Sequence, residues 1–142
     1  MDGMSPRISR PAVTSRDAAR AVTTARVLAV ALGGSGVLHL VRPAVYDSIV
    51  PRALPGSARF YTIASGVAEV GIAAALASRP TRRVGGLLAA ALFVAVFPAN
   101  VSMATRSLRS SRAFTARRLV TVLRLPLQWP LVTAALRVAR AS

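Results

Sequence analysis

Apolar residues along this chain gather in four stretches, residues 26–41, 60–77, 84–104 and 119–139, separated by charged or proline-rich connections. At about 1.5 Å of rise per residue, the longest spans a bilayer core of about 30 Å unaided. The first is short as drawn. It extends back through Ala21 if Arg20 and Arg26 carry their charged ends to the surface and leave their stems in the apolar boundary. The pattern predicts an all-α integral-membrane four-helix bundle with a short re-entrant or interfacial segment after the first span. Residues 1–20 mix Ser, Arg, Pro and Asp without a strong period and predict a mobile basic tail. Residues 21–142 then form one four-span domain.

The connections refine this picture. Pro43, Pro51 and Pro55 exclude one long helix over residues 42–57 and leave a short amphipathic turn around residues 46–50, lying at the interface. Residues 78–83 form a tight basic turn, which makes the second and third spans antiparallel neighbours. Residues 105–118 place Arg106, Arg109 and Arg112 at steps of three, so a helix there would lie on anionic lipid. Four spans put both termini on one side. The tail counted through Arg26, the second connection and the C-terminus hold ten arginines against eight in the first and third connections. That margin is too thin for the positive-inside rule to fix the orientation; the cytoplasm is the side favoured for both termini.

Composition removes several function classes. The formal net charge is +15, and the 19 basic residues are all Arg. Yet 54% of the chain is hydrophobic, and the arginines flank the spans instead of forming one face with interleaved aromatics. The expected partner is the lipid bilayer and not nucleic acid. There is no cysteine, which excludes disulfides, a CxxC redox centre, and thiolate zinc or iron–sulfur ligation within the chain. The single histidine, His39, excludes bis-histidine haem ligation from one subunit. No metal site is expected.

The remaining chemistry lies in a few polar residues at membrane depth. Glu69 sits near the middle of the second stretch, where an ionisable group costs at least a few kcal/mol unless paired or solvated. Thr62, Ser65 and Glu69 share one helical stripe; Thr121, Arg124 and Gln128 repeat that spacing in the fourth stretch. Asn100 follows Pro98, which withholds an N–H and frees a carbonyl one turn back. The first and third connections lie on the same side. His39, Glu69, Asn100, Arg124 and Gln128 therefore converge on one half of the bundle, and the other half is nearly dry. Glu69 is expected to pair with Arg124, which cannot lose its proton. The pair could fix helix order. Alternatively the polar half could be a ligand pocket, with His39 and Tyr61 at its rim, room left by Gly36 and Gly66, and apolar walls from Phe97 and Trp129.

Several short motifs recur in a familiar order: Gly36-Val37-Leu38-His39, Pro43, Val50-Pro51, Leu54-Pro55, Ser65-Gly66 with Glu69, Phe97-Pro98-Ala99-Asn100 and Arg124-Leu125-Pro126-Leu127-Gln128. Together, over about residues 27–136, they resemble the DoxX-like family of small four-helix bacterial membrane proteins. The resemblance implies a multi-pass protein of the bacterial cytoplasmic membrane. Some such relatives are subunits of thiosulfate:quinone oxidoreductase; others are linked to redox homeostasis or to maturation of secreted enzymes. A thiol-exchange role does not transfer, because this chain lacks cysteine. The expectation is a subunit or scaffold of a membrane complex, redox-linked, with another membrane or redox protein as partner. One alternative is a quinone-binding oxidoreductase subunit in which His39, Glu69 and Arg124 surround a quinone oxygen. The other is a small transporter or lipid-binding protein. The chain holds no cofactor of its own, quinone is the candidate ligand, and whether it is an enzyme stays open.

Overall fold

The computed structural model describes residues 14–109 and 115–142. The first thirteen residues of the expected tail, and residues 110–114 with Arg112, lie outside the described residues. Five helices follow in order: α1 (Ser15–Val41), α2 (Pro43–Asp47), α3 (Ala58–Ala77), α4 (Arg82–Arg109) and α5 (Thr115–Ala141). No strand occurs among the described residues. By length and composition, α1, α3 and α4 are able to cross a membrane.

Several boundaries differ from expectation, and three have a clear local reason. Helix α1 starts at Ser15, inside the segment expected to be tail. The Thr14 hydroxyl accepts the Asp17 N–H at 3.2 Å and donates to the Asp17 carboxylate at 2.6 Å. This reciprocal cap satisfies an otherwise unpaired donor and puts an acid at the positive end of the helix. Helix α2 occupies residues 43–47 instead of a turn centred on 46–50, because Pro43 pre-sets its first helical position while forcing Arg42 out of helical geometry. Helix α4 continues to Arg109, through residues expected to lie in a connection. There the Thr105 hydroxyl and Arg106 Nε donate back to the carbonyls of Val101 and Ser102, so the polar side chains tie themselves to their own helix.

The extensive interfaces are α1 against α3 and α4 against α5; smaller ones join α3 to α4 and α1 to α5. Glycine sets how closely the paired backbones approach. A Cβ on Gly36 would lie 2.7 Å from the Gly66 carbonyl oxygen, and one on Gly86 would lie 2.8 Å from that of Ala135. Either is too close for any side chain, so these crossings require glycine. The buried apolar cluster comprises Ala25, Leu28, Leu32, Ile72, Ala73, Leu76, Ala89, Ala90, Phe93, Ala135 and Val138. These residues lie in the half nearest the α3–α4 turn. Arg82 Nε and the Thr81 hydroxyl close that end by donating to the Leu76 and Ala75 carbonyls that α3 leaves without partners. At the opposite end, Arg106 Nη2 donates to the Ile49 carbonyl at 2.7 Å. That bond joins the α4 terminus to the segment after α2, so the first and third connections do share a side.

Candidate functional site

Glu69 is buried at 7% exposure on the face of α3 that meets α1. Its Oε1 accepts the Ser65 hydroxyl at 3.1 Å, one turn earlier on the same helix. Its Oε2 lies 3.6 Å from His39 Nδ1. His39 is near the end of α1, and its Nδ1 is 2.8 Å from the Ser35 carbonyl oxygen. A carbonyl can only accept, so Nδ1 carries the proton and spends it on Ser35. Glu69 Oε2 is consequently buried with no hydrogen-bond partner among the described residues. Tyr46 of α2 covers the histidine, its ring stacked with centroids 3.7 Å apart and planes 28° apart. Sequence spacing hid this contact, since the Arg42–Pro43 break resets the helical period between the two rings.

The expected Glu69–Arg124 pair does not form. Arg124 is exposed on α5, and no hydrogen bond or ion pair joins it to Glu69 among the described residues. A broadly similar depth suggested the pairing, but the azimuths differ: the buried face of α5 carries Gln128 instead. Asn100 Nδ2 donates to Gln128 Oε1 at 2.7 Å, and Gln128 Nε2 donates to the Phe93 carbonyl oxygen. That carbonyl is one residue before the Val94 carbonyl, the one deprived of its N–H by Pro98. The five candidates thus divide into a His39–Glu69 pair between α1 and α3, an Asn100–Gln128 pair between α4 and α5, and an outlying Arg124.

The expected room and walls of a pocket are also absent from these positions. Gly36 and Gly66 are filled by each other's helix, with His39 Cβ only 2.8 Å from a Cβ built on Gly66. Phe97 and Trp129 are 43% and 75% exposed, so they face outward. Among the described residues, no group of three or more acidic and histidine side chains is placed to hold a metal ion.

A second polar group, at the α2 end, was not foreseen. Arg59 Nε, in the first turn of α3, donates to Asp47 Oδ2 at 2.9 Å and ties α2 to α3. Partial burial raises the Asp47 pKa, but the Thr62 hydroxyl and the Arg59 guanidinium together outweigh it and hold the carboxyl below its ordinary 3.8. The Thr62 contribution falls short of a formed hydrogen bond: Asp47 Oδ1 and Thr62 Oγ1 are both buried without a partner among the described residues. The clue in the sequence was a lone acid in an otherwise basic connection.

This fold and its interior define a small all-helical protein with helices apolar enough for a membrane. A family model matches residues 28–139, and the chain belongs to that family, described as a domain of unknown function, DUF8561. The match overturns the DoxX-like resemblance. Its motifs combine Gly, Pro and Leu with single polar residues, a vocabulary shared by many tightly packed membrane helices, and their order did not discriminate between families. No curated protein and no solved structure matches the chain.

Proposed function

We propose that this chain is a four-span membrane protein that serves as a scaffold or subunit of a membrane complex, its interior polar residues specifying which helices pair. Helices α1, α3, α4 and α5 contain 27, 20, 28 and 27 residues, and at about 1.5 Å of rise per residue each reaches or exceeds about 30 Å. In α5, residues 119–136 hold Arg124 alone among the charged types. Val30, Phe60, Val94 and Trp129, one from each long helix, are exposed and suit lipid contact. The observation that carries the scaffold role is the use of the polar interior in helix–helix contact. Gln128 is engaged by Asn100 and the Phe93 carbonyl, and Glu69 is held between Ser65 and His39.

The unpartnered Glu69 Oε2 supports a second reading, in which His39 and Glu69 bind a small ligand such as a quinone. Purification in mild detergent, with mass spectrometry of bound proteins, lipids and quinones, separates the two. Under the scaffold role, a protein partner copurifies. Glu69→Gln then lowers the melting temperature modestly, by the equivalent of about 1 kcal/mol for a buried polar contact. A quinone that is retained by the native chain and lost from a folded His39→Gln variant would reverse the order.

A further inference from the structure

A cavity of about 430 Å³ opens at the α2 end, between the segment after α2, the start of α3 and the end of α4. Asp47, Val50, Arg52, Leu54, Tyr61 and Arg106 are among its lining residues; His39 is not. The two guanidiniums differ in what holds them. Arg106 is anchored by donating to the Ile49 carbonyl and to the Ser102 carbonyl of its own helix, and its remaining donors have no hydrogen bond among the described residues. Arg52 has no hydrogen bond or ion pair among the described residues, although it lines the same space. The one acid, Asp47, is already matched by Arg59, so the charge presented to the cavity is positive. The Tyr61 hydroxyl donates to the Pro55 carbonyl at 2.7 Å and braces the wall.

The surroundings select among anions. The cavity lies where the apolar lengths of α1 and α3 end, the level of lipid headgroups for helices that cross a bilayer. Val50 and Leu54 contribute apolar lining, and Val45 and Phe60 are exposed on the adjoining helix surface. A phosphodiester offers paired oxygens that match a guanidinium fork, while an acyl chain suits the apolar flank. We propose that this cavity binds the phosphate of an anionic phospholipid, with Arg106 as the fixed donor and Arg52 as the arm that closes on it. The site requires the membrane-spanning arrangement but is independent of the scaffold role.

Full-length protein in detergent micelles, titrated with phosphatidylglycerol and followed by native mass spectrometry, tests the site. Phosphatidylcholine and inorganic phosphate form parallel arms. Phosphatidylglycerol should bind in preference to phosphatidylcholine, and Arg52→Gln should weaken it about tenfold. Arg52 is exposed and has no hydrogen bond or ion pair among the described residues, so this variant should stay in the membrane fraction and melt as the native chain does. Arg79→Gln, at the far end of the molecule, should leave binding unchanged. The site is overturned if Arg79→Gln weakens binding as much as Arg52→Gln, since that is general attraction to a basic chain. Equal retention of phosphatidylcholine would overturn it as well. Displacement of the lipid by millimolar inorganic phosphate would show a free-anion site and end the lipid assignment. Recovery of the native chain without detergent would instead remove the membrane arrangement itself.

Discussion

The half of the molecule nearest the α3–α4 turn and the half nearest α2 use the same four long helices but hold them together differently. The first is dry, with Leu76 and Val138 fully buried among alanines and glycines. The second buries Thr62, Glu69 and Gln128. In lipid, apolar contact confers little advantage over a lipid tail, so a dry interface stabilises only through closeness of fit. Glycine and alanine supply that closeness but do not distinguish one helix from another. The polar half supplies the distinction, because Asn100 has a matching partner in Gln128 and His39 lies 3.6 Å from Glu69 across the α1–α3 seam, although no hydrogen bond joins those two. One half provides contact density and the other provides pairing identity.

The strongest way to break this contrast is in the dry half. Gly86→Val would press a side chain against the Ala135 carbonyl and the Ala139 nitrogen, backbone atoms that cannot rotate away. The expected cost is about 3 kcal/mol, read as a large drop in melting temperature in detergent. Native-like melting would mean that α4 and α5 have slack, and the fit argument would fail.

In the polar half the effect should be smaller and conditional on its partner. Gln128→Leu strands Asn100 Nδ2 and removes the donor to the Phe93 carbonyl, at about 1–2 kcal/mol. Adding Asn100→Leu should recover part of that loss, because the unpaired amide goes with it. Equal melting of the single and double variants would show that the two amides do not interact.

The smallest effect belongs to Asp47 at the edge of the polar half, and it is present at neutral pH and disappears in acid. Its folded pKa lies below 3.8, so its contribution is present above that value and is lost as pH falls through the lower, folded one. Asp47→Asn should lower melting slightly at neutral pH, converge with the native chain in acid, and so flatten the acid limb of the curve. An acid limb identical to that of the native chain would assign the loss to other carboxyls.

The periodicity and the prolines alone identified helices, their order, and the tight turn that makes α3 and α4 neighbours, because backbone hydrogen bonding in an apolar medium leaves few alternatives. The isolation of Glu69 in an apolar run likewise marked it as needing a partner. Depth, counted along each helix, placed His39, Asn100 and Gln128 in the right half of the molecule. Rotation about each helix axis was not legible in the same way. Whether Arg124 or Gln128 faces inward depends on which side of α5 meets α4, and that is decided by the Gly86 crossing on another helix. Tyr46 over His39, Arg59 on Asp47 and Arg106 on the Ile49 carbonyl all join residues across a proline break or a chain reversal. Local spacing carries no information across such points. The sequence by itself determined the long helices, short of their ends, and where along each one the polar groups fall; only tertiary packing, through the azimuth of each helix, decided which of those groups meet.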